Sequence, residues 1–563
     1  MSFNRILLMS RFLLLLPAIL AITTTSQAKW LTIHNDFFQY DDKGQKVQTR
    51  SGCLMKFEDT YYWYGVKHME FTNQYCYSSK DLLHWKNEGN MFTAPRGTNR
   101  MDVLYNEKTK KFVMVLKWET EGTDDWCNIG FATSDKPTGP FTKLSDSKVF
   151  GYNTGDMSVF KDDDGKAYYC FEQWIGDNNM NQQLALMNEN YTGLEKSLQK
   201  WNISTREANM IMKNHGIYYY MTSDMDWIEP SETKYWTATN INGPWTTNLV
   251  SMLTPDDKVN KSWATQCDYV FPFKGTEDTL QMYCGDRWKT VDAYPGRNGD
   301  YVWLPMTFTP KDSVVVNYYQ DWEVDPDRGI WREIDSKRNL ALNKTATASS
   351  NSNTAGNVTS PFTYQNYTST KWTSSSSDNQ WISIDLGTAQ KVNRVICKWS
   401  EGYAKSFKIQ LSTDNTEWKD VFTTSIGAPT SVTDETFTPT DARYVRIYCT
   451  TRGDNSKGIE IFDIMVLNDS ETTDISLVNG KVPGVTGQVM TCKNDVLQYT
   501  VSSAARVKLD IIDGLGRQKA VIVDEFKSAG SYNASLPGTL ASGRYILRLT
   551  EGKKKTSTLQ VVR

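Results

Sequence analysis

CLMKFEDTYYWYG, residues 53–65, alternates apolar and aromatic side chains on both sides of a short acidic turn, which is the pattern of an antiparallel hairpin. The theme returns as VLYNEKTKKFVMVL (103–116), MSVFKDDDGKAYYC (157–170), NMIMKNHGIYYYMTS (209–223) and YVFPFKGTEDTLQMYCG (269–285). Copies spaced by roughly 50 residues are what radially stacked four-stranded sheets produce, so the pattern predicts an all-β chain that begins with a five-bladed β-propeller. In such a fold the start of every blade faces one axial pocket, and residues distant in sequence meet there.

The 563 residues exceed one ordinary domain. With 62 basic and 65 acidic residues, the charge balance gives no electrostatic case for nucleic acid or an anionic membrane. Arg5 and Arg11 precede the apolar run 12–22, and Ser26-Gln27-Ala28 supplies small residues for cleavage. Residues 1–28 therefore read as a signal peptide, and the protein is expected to be secreted or held at the cell surface. No later segment has the roughly 18 uninterrupted apolar residues of a membrane span. Nine cysteines without CxxC spacing argue against an all-disulfide framework, while leaving room for one or two bridges. The four histidines (34, 68, 84, 215) lack zinc-ligand spacing.

Beyond the propeller, placed at 29–330, the composition changes twice. A Ser/Thr/Asn-rich stretch leads into the short strands WISIDLG (381–387), VNRVICKW (392–399), SFKIQLS (406–412), RYVRIYC (443–449) and IEIFDIMVL (459–467). These predict a jelly-roll β-sandwich over 337–468. A small C-terminal β-domain over 480–563 follows, with strands at 507–513, 542–550 and 557–562.

An axial pocket without metal ligands points to carboxylate chemistry. Displacement at an anomeric carbon needs one protonated acid for the leaving oxygen and a second group to orient water. Asp156, Glu207 and Gln266 stand at equivalent places, just before the inner strands of the third, fourth and fifth copies. The acid run DDDG (162–165) reads as a hairpin turn in preference to a calcium loop. SSKDLLHW (78–85), TSDKPTGPF (133–141) and ATNINGPW (238–245) read as outer-strand connections. Trp288 and Trp303 either stack on sugar or fill core between blades.

REANMIMKNHGIYYYMTS (206–223) resembles the general-acid segment of glycoside hydrolase family 43, and GDMSVFKDDDGKAYY (155–169) is similar to its pKa-modulating Asp motif. NRMDVLYNEKTKKFVMVL (99–116), GDRW (285–288) and YVWLPM (301–306) further resemble the exo-β-1,3-galactanase branch. The resemblance implies a glycosidase that inverts the anomeric carbon, with Glu207 as general acid, Asp156 raising its pKa, and Gln266 orienting water. No catalytic cofactor is implied. The first blade lacks the family's water-activating Asp, reading QTRSG (48–52). Val66 stands where the branch has a Glu, and Asn99-Arg100-Met101-Asp102 where it has Glu-Arg-Pro-Lys. Asn99, Arg100, Asp102, Asp268, Arg287, Trp288 and Trp303 are the expected sugar-binding positions. Asp268, two residues beyond Gln266 and so on its face of an extended strand, serves either as base or as partner to Arg100 or Arg287.

NLALNKTATASS (339–350), WISIDLG and ARYVRIY (442–448) resemble the discoidin, or coagulation-factor type C, superfamily, which implies a carbohydrate-binding module or a spacer; a structural Ca2+ is common there. VKLDIIDGLGRQ (507–518) and SGRYILRLT resemble the sorting domain of type IX secretion, making that machinery a partner beside a galactose-containing polysaccharide. The alternative is a non-catalytic glycan-binding protein on this scaffold, to which Val66 and Asn99 point, or a family 43 glycosidase of different sugar specificity.

Overall fold

The computed structural model describes residues 30–469 and 491–562, except 69, 95–96, 99, 120–126, 176–179, 227–228, 256, 258–259, 289–298, 310–311, 335–337, 361–369, 494–495, 502–504, 514–517, 529, 538–543 and 552–553. The leader at 1–28, Asn99 and residues 470–490 lie outside the described residues.

All five hairpin copies form the first two strands of four-stranded antiparallel sheets. Their first strands are Arg50–Phe57, Met101–Asn106, Asn153–Lys161, Arg206–Asn214 and Gln266–Lys274. Each first strand touches that of the next sheet, and the fifth returns to the first, so the sheets close in a ring as a propeller. The three connections named above join third to fourth strands, at the rim.

Four of the five first strands begin with a break in register against the second strand: between Arg50 and Cys53, Thr154 and Met157, Glu207 and Met210, and Cys267 and Tyr269. A bulge inserts residues without a cross-strand partner and re-aims their side chains. Here the bulges fall at the axis-facing end of the ring. Ser51 and Ala208 take positive φ of 52° and 53° within them.

Aromatic side chains fill the clefts between sheets. Trp63, Trp85 and Trp303 pack together between the first and fifth sheets, with ring centroids 5.1 Å apart for Trp63–Trp85 and 4.6 Å for Trp63–Trp303.

Leu31–His34 pairs with Asp321–Asp325, which pairs with Ile330–Glu333, forming a small sheet against the sandwich. In the sandwich the two stretches 381–387 and 392–399, expected as separate strands, run on as one bent strand, Gln380–Trp399. Its pairing with Val432–Arg452 shifts register between Asp385 and Gln390 and between Val392 and Arg394, where a bulge can turn a strand. The tail forms a three-stranded and a four-stranded sheet. No helix among the described residues is long and apolar enough to cross a membrane.

Candidate active site at the propeller axis

The bulges of the third, fourth and fifth sheets bring Asp156, Glu207 and Gln266 into one cluster. Gln266 Nε2 donates to Glu207 Oε1 at 2.7 Å. Arg100, from the second sheet, ties the group together. Its Nη2 donates to Asp156 Oδ2 and to Gln266 Oε1, each at 3.2 Å, while its Nη1 bonds Asp268. Lys117 Nζ lies 3.3 Å from Asp156 Oδ1. Trp288 Nε1 also donates to Gln266 Oε1, at 3.2 Å, so the amide is held from three sides.

Burial and charge separate the carboxyls. Burial would raise Asp156, but the cations Arg100 and Lys117 outweigh it and hold this carboxyl below its usual range. Glu207 is pushed up to about 8, by burial first and by the Asp156 charge second. Near neutral pH the pair is therefore one carboxylate beside one protonated acid, the division of labour that acid catalysis at a glycosidic oxygen requires.

Asp268 shares Arg100 with Gln266, as expected for one face, but it is the bulged residue and only 3% exposed. Burial and the nearby Asp286 charge raise it well above the usual carboxylate range. An inward acid on the far side of a guanidinium is badly placed to activate water.

Three sequence expectations are corrected. Asp102 does not face the sugar site; its Oδ2 accepts Val159 N–H at 2.5 Å, linking the second and third sheets beside a 460 Å³ axial cavity. Arg287 is buried, pairs with Asp36 at 2.7 Å and braces the chain near Trp263. Trp303 is core, because the third strand that carries it lies away from the axis. Trp288 comes just after the second strand ends and remains half-buried at the site.

Sequence reasoning missed Lys117, Glu172 and Arg50. The Arg50 guanidinium lies over the Trp288 ring, 5.6 Å from its centroid, and donates to Asp300 Oδ1 at 2.7 Å. Lys117 and Glu172 follow the apolar runs FVMVL and AYYCF on their strands. A charged residue amid a buried run is the signal that could have found them, since such groups are rarely buried unless paired. The DDDG carboxylates are occupied by lysines: Lys213 reaches Asp162 at 2.8 Å, and Lys274 reaches Asp163 at 2.6 Å.

Residues 48–299 match the model of glycosyl hydrolases family 43, and residues 345–464 match the F5/8 type C domain. Among individual proteins, the chain is similar to a β-D-galactofuranosidase from Aspergillus niger, 25% identical over 223 residues. That match covers 36% of this chain and 64% of the relative, less than two thirds of its length. An exo-β-1,3-galactanase structure from Clostridium thermocellum is 21% identical and covers 90% of this chain and 100% of its own, with a TM-score of 0.47. One from Phanerochaete chrysosporium with β-1,3-galactotriose is 20% identical, covers 77% and 100%, and has a TM-score of 0.48.

Proposed function

We propose that this protein is a secreted, exo-acting, inverting glycoside hydrolase of galactose-containing polysaccharide, with the five sheets as five propeller blades. The observation that carries this reading is the Glu207–Asp156 pair: a carboxyl raised to about 8 and hydrogen-bonded to a fixed amide, beside a carboxyl held ionised by two cations. Glu207 gives its proton to the leaving glycosidic oxygen, and Asp156 keeps that proton in place beforehand. Gln266, clamped by Arg100 and Trp288, holds the attacking water in line; an amide oxygen is too weak a base to deprotonate it unaided, so its contribution is orientation. The water releases its proton to solvent as its oxygen bonds the anomeric carbon and the glycosidic C–O bond breaks, after which Glu207 regains a proton from solvent. Asp268 is a ligand of Arg100 in this scheme and not the base. The galactose preference follows the motif resemblance and agrees with the name of the Aspergillus niger relative. Catalysis needs no cofactor in this reading. Residues 1–28 direct export, the tail at 480–563 addresses the type IX machinery, and the F5/8 type C domain binds the glycan or spaces the catalytic domain from the surface.

The test is a panel of galactans, arabinogalactans and aryl galactosides, followed by NMR of the first anomer released. Galactose appearing from chain ends with inverted configuration is the expected result. Retained configuration defeats the mechanism. Glycan binding without any release, by a protein whose Glu207→Gln variant behaves identically, turns the reading to a binding protein.

A further inference from the structure

Glu172 lies on the second strand of the third sheet, within a run of buried side chains, and is only 3% exposed. Register places it where the first strand bulges: Thr154 pairs with Gln173 and Met157 with Phe171, which leaves Gly155 and Asp156 opposite Glu172. Its Oε2 accepts the Asp156 backbone N–H at 3.2 Å. A Cβ on Gly155 would stand 2.1 Å from that same oxygen, so only glycine admits the carboxyl beneath the bulge. Its other oxygen, Oε1, is buried without a protein hydrogen bond among the described residues.

We propose that Glu172 is a positioning residue whose carboxyl, seated under the Gly155–Asp156 bulge as a neutral acid, fixes Asp156 between Arg100 and Lys117 and so sets the acid Glu207. The inference deepens the glycosidase reading and, for its kinetic part, rests on it. Three observations support the neutral form. The group is enclosed, it has no cation within salt-bridge distance among the described residues, and the Asp156 charge lies beside it. Burial is the largest of these effects, and Lys117 opposes them only in part. An ionised Glu172 would compete with Asp156 for Lys117 and loosen the arrangement that keeps Asp156 charged. A protonated one offers the backbone N–H an acceptor without adding charge.

The experiment compares Glu172→Gln and Glu172→Ala in the full chain. Glu172→Gln keeps an acceptor oxygen and the neutral state. Its kcat should stay within about threefold of wild type, with the alkaline limb of the pH profile unmoved. Glu172→Ala removes the support, and kcat should fall by about 10²-fold with KM little changed, the scale expected when a reacting group is slightly misplaced. A limb that moves to lower pH in Glu172→Gln would mean that the wild-type group is ionised and had been repelling Glu207, and would overturn the proposal. So would equal loss in both variants, or no loss in Glu172→Ala.

Hydrogen exchange of the 153–161 strand, read by mass spectrometry, is independent of any substrate. Faster exchange around Asp156 in Glu172→Ala, restored in Glu172→Gln, is the expected outcome. Unchanged exchange in Glu172→Ala overturns the positioning role even if no glycan is ever cleaved, whereas the expected exchange in an inactive protein sinks the hydrolase reading alone. If Glu172→Ala does not fold, Gly155→Ala, which drives the bulge off the carboxyl, takes its place under the same criteria.

Discussion

The propeller axis and the seam against the sandwich bury ionic clusters built from the same side chains, with opposite results. At the axis, Asp102, Asp156, Glu172, Glu207, Asp268 and Asp286 crowd around Arg100 and Lys117; only Asp156 is held below its usual range, while Asp286 rises to about 6 and Asp102 to about 7. At the seam, Arg394 donates to Asp434 at 2.7 Å and bonds Glu323, and Lys398 reaches Asp321 at 2.6 Å. His34 lies between Asp321, at 2.6 Å, and Asp434, at 3.1 Å. Here the cations outweigh burial at Asp321, Glu323 and Asp434, all lowered, Asp321 to about 2, while Asp463, which shares Lys398 with Asp321, is raised to about 6 by burial. The difference lies in charge balance. Carboxyls in excess over cations must keep protons, and a kept proton can be donated; carboxyls matched by cations lose theirs and can only hold elements together. Burial alone therefore does not make a reactive site.

The sharpest way to break this contrast is at its reactive end. Glu207→Gln should lower turnover by about 10²–10⁴-fold, the range for losing a general acid, with the folded state and its melting temperature nearly unchanged. Steady-state kinetics beside calorimetry reads both. At the seam, Arg394→Ala leaves Asp434 and Glu323 buried without their main partner and should cost about 3–5 kcal/mol in urea denaturation, with kcat per folded molecule preserved. A seam variant that lost activity without losing stability would erase the distinction between the two clusters. The pH profile is a gentler probe. The acid must be protonated, so activity should fall about tenfold per unit as pH rises through about 8, the raised value of Glu207. It should hold on the acidic side until pH drops into the depressed range of Asp156.

The hairpins were legible because alternation with period two survives along most of each strand, and the turns carry Asp, Gly and Asn. Equivalence between copies was enough to pick out Asp156, Glu207 and Gln266. The rest was hidden by what breaks that period. A bulge shifts every later side chain to the other face. Asp102 reads as a sugar-binding position, yet its strand has no bulge and carries it inward to Val159. Trp288 and Trp303 are alike in the sequence, and only their places, beyond the second strand and on the third, separate a ring at the site from a ring in the core. Lys117 and Glu172 hold the charged Asp156 in place but sit within largely apolar runs, where one polar residue resembles noise.

The smallest expected effect tests the seam through His34, whose pKa is raised. Both His34 ring nitrogens face carboxylates, which calls for a proton on each, and the carboxylates outweigh burial so that its pKa is raised above 6.5. The groups around it are Asp321 from the small sheet, Asp434 from the sandwich, and Lys398 and Arg394, which pair with those two. A raised histidine contributes stability that is fully present below its unfolded value and is lost as pH rises through the folded one. The lowered Asp321 and Asp434 act in the other direction: their contribution is present above about 3.8 and is lost as pH falls through their depressed values. Between these limits His34→Gln should reduce stability most near pH 5–6 and progressively less at higher pH, as the wild-type imidazolium loses its proton. Denaturation midpoints for the two proteins should therefore converge from pH 6 upward. A gap that stayed constant with pH would mean that His34 fills space at the seam without carrying charge there.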